Sequence, residues 1–301
     1  MADQSNTRCG FVALIGAPNA GKSTLMNRIM GTKVSIVTHK VQTTRASVVG
    51  VLTNGDDQIV FVDTPGIFAP NRRLERAMVA SAWAGATDAD KIVLLIDAER
   101  GFGEDVQLII EGIKKVDKTV IIVLNKIDLV PRENLLSLAE KLQDISILES
   151  LYMISALKGD GVNDLLSNLS EDLPKGPWLY PKDHLSDMNE RLFAAEITRE
   201  KLFLSMHQEL PYSLTVETEG WQERPDGSLK VDQVIYVERP GHKGIVLGRG
   251  GQQIKRVGVE SRKELEHILE RQVHLFLFVK VREKWRDDPE RYREMGLDFS
   301  D

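Results

Sequence analysis

Short apolar runs alternate with amphipathic stretches from residue 11 to about residue 169. The apolar runs at 11–15, 58–62, 119–124 and 151–154 have the length and composition of buried strands in a parallel sheet. Stretches of helical periodicity, such as 24–30, follow or separate them. This alternation predicts an α/β domain in which helices flank a mostly parallel sheet.

The pattern changes after a segment that contains three prolines, Pro174, Pro177 and Pro181. Proline fixes φ and removes a backbone donor, so this density argues against regular structure and predicts a linker. We therefore expect three parts, namely a first domain at 1–172, a linker at 173–182 and a second domain at 183–301.

The second domain is predicted to mix helices and strands. Residues 187–207 place apolar side chains mostly on one side of a helix, whereas 212–219 alternates like a strand. A Pro-Asp-Gly-Ser turn signal follows, and 229–237 returns as a second strand. Two helical stretches around a glycine loop follow, and 273–281 reads as a third strand. The order helix–strand–strand–helix–helix–strand predicts a separate α+β domain.

A glycine loop joins the first predicted strand to the first predicted helix. It reads Gly-Ala-Pro-Asn-Ala-Gly-Lys-Ser, a spacing that lets backbone N–H groups wrap a phosphate at a helix N-terminus. Lys22 would add a charge for the β- and γ-phosphates, and the Ser23 hydroxyl would bind Mg²⁺. The predicted phosphate-binding residues are Gly16, Ala17, Pro18, Asn19, Ala20, Gly21, Lys22, Ser23 and Thr24.

Two further segments are predicted to sense the γ-phosphate. The second switch is Asp63, Thr64, Pro65 and Gly66 at the end of a strand, with Asp63 holding Mg²⁺ through water. The first switch is predicted at 32–46, a polar stretch without clear periodicity. A threonine there would close on Mg²⁺. By resemblance to related GTPases with a paired threonine, we expect Thr44 to do so rather than Thr43.

The base is predicted to be guanine. The Asp128 carboxylate of Asn-Lys-Ile-Asp matches the N1–H and 2-amino donors that guanine has and adenine lacks. The Lys126 stem can cover the base, and the Ala156 N–H can reach O6. Four of these segments, namely the phosphate loop, the second switch and the two guanine segments, lie at the carboxyl ends of strands, where open parallel sheets bind ligands. Their order resembles GTPases of the translation-factor class. The predicted guanine-binding residues are Asn125, Lys126, Asp128, Ser155, Ala156 and Leu157.

Two positions bear on hydrolysis. Ile67 stands where many signalling GTPases place a glutamine that orients the attacking water, so slow intrinsic turnover is expected. Asn19 lies in a context that resembles potassium-activated GTPases, in which the matching asparagine helps to bind K⁺ between the phosphates. Whether Asn19 is a K⁺ ligand or only shapes the loop stays open.

Composition sets limits on these expectations. With 301 residues the chain can form two domains, and 39 basic against 45 acidic residues give a net charge of −6, which would not by itself indicate a nucleic-acid binder. The single cysteine, Cys9, excludes an internal disulfide framework and suits a reducing cytosol. The first eight residues are polar, so we expect no signal peptide, and the longest apolar runs are too short to span a bilayer.

The glycine loop of the second domain resembles the signature of a K-homology domain. Gly248 and Gly251 frame a Gly-x-x-Gly between two helices, and the apolar Ile254 follows three positions later. Residues 241–259 contain four basic residues and no acidic one, a local charge that suits an RNA backbone. The element order matches the type II variant of this fold. The predicted RNA-binding residues are Lys243, Gly248, Arg249, Gly250, Gly251, Ile254, Lys255 and Arg256.

A guanine-nucleotide domain followed by a type II K-homology domain resembles the Era family of bacterial ribosome-assembly GTPases. The resemblance covers both domains, including Pro-Gly-His-Lys-Gly before the glycine loop and the tail that carries Trp285. It implies hydrolysis of GTP to GDP and phosphate with Mg²⁺, and binding of the 3′ end of 16S ribosomal RNA during 30S assembly. It further implies a cytoplasmic monomer with peripheral association with the inner membrane.

Two other functions stay open. An RNA-modifying GTPase of the kind that edits transfer RNA would need a second catalytic centre, and residues 183–301 show no cofactor motif or reactive-cysteine arrangement. A GTP-dependent RNA scaffold that hardly hydrolyses also stays open, because Ile67 replaces the usual glutamine.

Overall fold

The computed structural model describes residues 7–206 and 210–299. By internal contacts the chain divides into two compact units. Among the described residues, one comprises those up to Ser35, Val41–Asp187 and those from Arg293 onwards, and the other comprises those within Ile36–Lys40 and Met188–Tyr292. Five residues of the predicted first switch thus group with the second unit. The domain limits at 172 and 183 stay predictions.

The first unit is built on a six-stranded sheet in the order β2-β3-β1-β4-β5-β6. Only β2 runs antiparallel to its neighbour, so the predicted mostly parallel sheet is confirmed. The predicted strands appear at their expected places, and β2 and β4 are additional to them. The strands are β1 (Arg8–Gly16), β2 (Val48–Asn54), β3 (Asp57–Asp63), β4 (Lys91–Asp97), β5 (Val120–Asn125) and β6 (Leu148–Met153).

Helices cover both faces of this sheet, which is why its central strands are apolar on both sides. Along β1, Val12 and Leu14 belong to one apolar cluster, and Ala13 and Ile15 belong to another. The first cluster includes residues of α1 and α5, and the second includes residues of α2, α3 and α4. The helices are α1 (Lys22–Met30), α2 (Arg73–Asp88), α3 (Glu104–Lys115), α4 (Arg132–Gln143) and α5 (Val162–Glu171).

The predicted linker contains no helix or strand beyond an isolated bridge between Arg8 and Lys175. Its backbone is hydrogen-bonded to β1, with Cys9 N donating to Pro174 O over 3.0 Å. The Gln58 side chain of β3 accepts from the backbone N–H of Tyr180 over 3.0 Å. The segment is therefore irregular but held by hydrogen bonds within the first unit.

The second unit has the predicted helix–strand–strand–helix–helix–strand order. Its sheet runs β7-β8-β9, with β7 and β8 antiparallel and β8 and β9 parallel. The strands predicted at 229–237 and 273–281 have the predicted limits, and the element order agrees with the predicted type II K-homology topology. The elements are α6 (Glu190–Ser205), β7 (Leu214–Glu223), β8 (Leu229–Val237), α7 (Pro240–Leu247), α8 (Gln252–Leu269), β9 (Val273–Val281) and α9 (Pro289–Glu294).

The second unit also holds the five residues Ile36–Lys40. The Ile36 side chain is buried in an apolar cluster with residues that include Ile197 of α6. The Val37 N–H donates to Glu200 Oε1 of the same helix over 2.8 Å, and Lys40 Nζ donates to the carbonyl of Phe203. Part of the predicted first switch is thus anchored to α6 by apolar burial and hydrogen bonds.

Candidate nucleotide and RNA sites

The phosphate loop connects the end of β1 to the start of α1. Its backbone enters the left-handed region at Asn19 (φ 66°) and Gly21 (φ 101°). A Cβ at Gly16 would lie 2.5 Å from Leu95 O, and one at Gly21 would lie 2.1 Å from Asn125 Nδ2. Glycine is therefore required at both positions by backbone conformation and by close neighbours.

Lys22 is buried beneath this loop. Its Nζ donates to the carbonyls of Gly16 and Ala17 over 3.1 and 3.2 Å. Burial lowers the pKa of Lys22 to about 8, although the nearby Asp63 opposes the shift. A phosphate beside Lys22 would favour the ammonium form and raise this pKa again. The side chain is thus positioned by the protein before any anion arrives.

The three predicted Mg²⁺ residues, Ser23, Thr44 and Asp63, come together beside the loop. Ser23 Oγ donates to Asp63 Oδ2 over 2.6 Å and lies 3.0 Å from Thr44 Oγ1. Ser35 Oγ donates to the same carboxylate oxygen over 2.9 Å. Among the described residues Asp63 Oδ1 is buried without a hydrogen-bond partner. An all-oxygen donor set with an unsatisfied carboxylate oxygen fits Mg²⁺, which prefers such ligands.

The geometry distinguishes the two threonines of the first switch. Thr44 is buried and its hydroxyl lies in the group just described, whereas Thr43 is only half-buried.

Burial raises the pKa of Asp63, and the Lys22 charge and the hydrogen bonds from Ser23 and Ser35 oppose that rise. A divalent cation would add to these opposing effects and favour the carboxylate.

The second switch is packed closely on the phosphate loop. A Cβ at Gly66 would lie 2.9 Å from the Pro18 side chain and backbone, and Thr64 Oγ1 donates to Leu14 O over 2.9 Å. Ile67 N donates to Gly16 O over 3.1 Å, and the Ile67 side chain is fully buried in an apolar cluster. The residue at the usual glutamine position therefore packs in the core.

Asn125 joins the guanine segment to the phosphate loop. Its Nδ2 donates to Ala20 O over 2.8 Å, and its Oδ1 accepts from Ala156 N over 2.9 Å. The Ala156 N–H, predicted to reach guanine O6, thus donates to Asn125 in the structure. Contact with O6 would require this donor to be shared or exchanged, and it stays a prediction. Arg28 of α1 supports the same segment, with Nε donating to Ala156 O over 3.1 Å.

Asp128 is held as a carboxylate. The Ser155 hydroxyl bonds to it and lowers the pKa of Asp128, and Lys158 Nζ at 3.7 Å adds a favourable charge. An ionised carboxylate can accept two hydrogen bonds, as the N1–H and 2-amino groups of guanine would require. Leu157, the last residue predicted for this site, is 69% exposed.

Several residues that position the site were not singled out from the sequence. Asn27 Oδ1 accepts from the N–H groups of Val34 and Ser35, each over 2.9 Å, and so fixes the start of the first switch. Asn27 follows Ser23 by four positions, a spacing that places both on one face of α1. That spacing was the sequence feature that could have indicated Asn27 as a site residue. No sequence feature indicated that Ser35 pairs with Asp63.

The glycine loop of the second unit joins α7 to α8 as predicted. Gly248 (φ 71°), Gly250 (φ 59°) and Gly251 (φ 76°) all have positive φ, and a Cβ at Gly248 would lie 2.6 Å from Gln253 Cβ. Ile254 packs against the apolar cluster of this unit. The four basic residues of the predicted RNA site, Lys243, Arg249, Lys255 and Arg256, are all exposed.

One apolar residue beside this loop was not predicted. Ile245 of α7 is 59% exposed, three residues before Gly248. An exposed apolar side chain next to exposed basic residues suits a ligand that has both a charged backbone and flat bases. The sequence shows that Ile245 lies within the basic stretch, but only the structure shows that its side chain is exposed and so available to a ligand.

Comparison with known proteins assigns both units. Residues 11–126 match the family model described as 50S ribosome-binding GTPase, and residues 209–286 match the KH domain model. The chain is 62% identical over 293 residues to GTPase Era of Rhizobium meliloti (strain 1021), covering 97% of this chain and 94% of the relative. This chain belongs to the Era family of GTPases. GTPase Era of Brucella suis biovar 1 (strain 1330) is 60% identical over 297 residues, covering 99% and 96%.

Solved Era structures have the same fold. A point variant of Aquifex aeolicus Era bound to GDP·AlF₄⁻ superimposes with a TM-score of 0.91 at 40% identity, covering 96% of this chain and 99% of that one. An Era complex with MgGDPNP and nucleotides 1506–1542 of 16S ribosomal RNA gives 0.92 with the same identity and coverage. The predicted P-loop GTPase domain, K-homology domain and GTPase activity are thereby confirmed. Across the described part of the chain, no helix is both long and apolar enough for a membrane crossing.

Proposed function

We propose that this Era-family GTPase is a molecular switch that binds the 3′ end of 16S ribosomal RNA during 30S subunit assembly. The observation that carries the proposal is the exposed basic Gly-x-x-Gly loop in a chain that also holds a GTP site. The related Era complex contains nucleotides 1506–1542 of 16S ribosomal RNA, which supports the choice of RNA. Hydrolysis of GTP would then release or reset the RNA complex.

In the nucleotide site, Ser23 and Thr44 would hold Mg²⁺ directly and Asp63 would hold it through water. The cation would neutralise the charge that develops on the β- and γ-phosphates. Lys22 would bind the same phosphates from beneath the loop, and Asp128 would read the guanine edge. The MgGDPNP in the related Era complex supports this assignment.

K⁺ would supply the electrostatic help that a glutamine-free site needs, with Asn19 as its ligand from this chain. The left-handed backbone of Asn19 suits both this role and simple shaping of the loop. Phosphate release is measured in K⁺ and in Na⁺ at equal ionic strength, with wild type and Asn19→Gly. Faster turnover in K⁺ that depends on Asn19 supports the ligand role. Equal rates would leave only the shaping role.

The anchoring of Ile36–Lys40 to α6 offers a route by which the first switch is linked to the RNA-binding unit. Ordering of the switch by γ-phosphate would change the strain on this anchor, because the same short segment carries both Thr44 and Val37.

Localisation and oligomeric state are proposed from the resemblance to the Era family. The protein would act as a cytoplasmic monomer that associates peripherally with the inner membrane. Vesicle flotation and light scattering test those two points.

RNA binding by the loop is tested with a single-stranded oligonucleotide from the 16S 3′ end and a scrambled control. Binding is measured for wild type and for Gly251→Asp, which places a negative charge on the loop. The proposal expects selective binding by wild type and its loss in the variant. Equal affinity for both oligonucleotides would contradict the 16S assignment, and unchanged binding by the variant would contradict the loop assignment.

A further inference from the structure

The strand register places Asp97 beside the guanine segment. Asp97 ends β4 and lies opposite Asn125, the last residue of the parallel neighbour β5. The N–H of the next residue, Ala98, donates to Asn125 O over 2.9 Å and fixes this alignment. A side chain at the end of β4 therefore lies next to Lys126, which follows Asn125 directly.

Both carboxylate oxygens of Asp97 have partners. Oδ2 accepts from Lys126 Nζ over 2.5 Å, and Oδ1 accepts from the Glu99 N–H over 3.0 Å. Asp97 is only 6% exposed, whereas the Lys126 side chain is 29% exposed. The anion is thus the fixed, buried member of the pair, and it determines where the ammonium group of the longer and more mobile side chain lies.

The Lys126 side chain is therefore held at both ends. Its backbone is in the left-handed region, with φ 65° and ψ 35°, which sets the direction in which the side chain starts. Asp97 sets the point at which the side chain finishes. Between these two points the apolar stem has little freedom left, so its methylene groups form a defined surface.

Asp97 also faces the phosphate loop. Arg100 Nε lies 3.8 Å from Asp97 Oδ2, and Arg100 Nη1 donates to Pro18 O over 3.4 Å. Asp97, Arg100, Ala17 and Pro18 line one cavity of about 280 Å³. The carboxylate therefore stands between the guanine segment and the phosphate loop, with a cation on each side.

We propose that Asp97 is a positioning residue for guanine nucleotides, holding Lys126 so that its stem covers one face of the base. The inference rests on the proposed guanine-binding role of Asn125, Lys126 and Asp128. A stem on the base face contributes by apolar contact and excludes water, but it does not read the hydrogen-bonding edge. Loss of Asp97 should consequently weaken every purine nucleotide that enters the site by the same factor.

This expectation separates Asp97 from Asp128. Asp97→Asn should weaken GDP and IDP equally, by about tenfold each, because it replaces a charge-assisted hydrogen bond by a weaker one. Asp128→Asn should instead lower the affinity for GDP relative to the affinity for XDP, because it alters the group that faces the base edge. Asp105→Asn is the matched control, since Asp105 lines the same cavity, is exposed on the first turn of α3, and loses the same charge.

The experiment measures the affinities of full-length wild type, the three variants, Lys126→Met and the double variant Asp97→Asn/Lys126→Met for GDP, IDP and XDP. The proposal expects an equal loss for GDP and IDP in Asp97→Asn, no change in Asp105→Asn, and no further loss on adding Asp97→Asn to Lys126→Met. Unchanged GDP affinity in Asp97→Asn, or a loss that is fully additive with Lys126→Met, would overturn it. So would a loss for GDP alone.

If Asp97→Asn does not fold, as judged by circular dichroism, Lys126 variants test the same point. Lys126→Arg keeps a cation for Asp97, whereas Lys126→Met keeps only an apolar stem. We expect Lys126→Arg to bind GDP at least about fivefold more tightly than Lys126→Met does. Equal GDP affinity of the two variants would overturn the proposal. A failure of Asp128→Asn to change base preference would count against the guanine-site assignment itself, so the two failures are distinguishable.

Discussion

Gln42 Nε2 donates a hydrogen bond of 2.9 Å to Glu75 Oε1. Gln42 belongs to the predicted first switch, and Glu75 lies in the first turn of α2, shortly after the second switch. The other oxygen of Glu75, Oε2, accepts from the backbone N–H groups of Asn71 and Arg72 and caps that helix. One buried carboxylate therefore joins the predicted first switch to the start of α2, the helix that follows the second switch.

Replacing Gln42 by Ala should separate the first switch from the start of α2, and so from the second switch that precedes this helix, while leaving the helix cap intact. Because only GTP would order both switches together, the variant should bind a GTP analogue about fivefold more weakly, the equivalent of one hydrogen bond of about 1 kcal/mol. GDP affinity should stay unchanged. Fluorescence titration with both nucleotides checks this, and an equal loss for GTP analogue and GDP would count against a link between the switches.

Burial of Lys22 makes the free energy of unfolding depend on pH in the alkaline range. Its pKa in the nucleotide-free folded chain is about 8, below its ordinary value of 10.5, so the unfolded chain binds more protons between these values. The contribution of Lys22 is therefore most unfavourable below pH 8 and is relieved as pH rises towards 10.5. The free energy of unfolding should rise by up to about 1.4 kcal/mol per pH unit in this range, relative to Lys22→Met.

Urea unfolding of wild type and Lys22→Met at about pH 7, 8 and 9.5 measures that difference. The comparison removes contributions from other groups that titrate in both proteins. A difference between the two proteins that stays constant across this pH range would mean that Lys22 is not desolvated as the structure indicates.

Ile67→Gln should not create a faster GTPase. The Ile67 side chain is fully buried among apolar residues, so a glutamine there would bury an amide at a cost of about 1–3 kcal/mol. We expect a lower melting temperature and no increase in turnover, with Ile67→Val as a control that keeps turnover unchanged and loses only about 0.5–1.5 kcal/mol of stability. An accelerated turnover with unchanged stability would show that position 67 can face the attacking water.

Arg249 should contribute to RNA affinity through the phosphate backbone. Arg249→Gln should weaken binding of all single-stranded RNAs alike, and the slope of log K against log salt should fall by about 0.7, as for one lost phosphate contact. Lys263→Gln, an exposed position on α8 away from the loop, provides the control. A loss for one sequence with an unchanged salt slope would instead indicate a base contact.

The sequence predicted most of what depends on neighbours along the chain. The strand limits at 229–237 and 273–281 were obtained from local sequence, and the phosphate loop from its glycine spacing, because local conformation largely determines both. The pairing of Asp97 with Lys126 depends on the register between β4 and β5, which a single sequence does not encode locally. The segment Ile36–Lys40 groups with α6. The hydrogen bond between Val37 and Glu200 joins residues 163 positions apart, and no local sequence pattern predicts it.

The role of Ile67 illustrates the same limit. The sequence correctly indicated that no glutamine is present, but it could not show that the isoleucine packs in a core cluster built from several helices and strands. Likewise, a Thr-Thr pair can be recognised from the sequence. Only the structure brings the Thr44 hydroxyl within 3.0 Å of Ser23.

If the nucleotide site controls the RNA site, RNA affinity must differ between the nucleotide states of the protein. Binding of the 16S 3′-end oligonucleotide and its scrambled control is measured with GTP analogue, with GDP and without nucleotide. We expect the tightest and most sequence-selective binding with the GTP analogue. Equal affinity for the 3′-end oligonucleotide in all three states would contradict it.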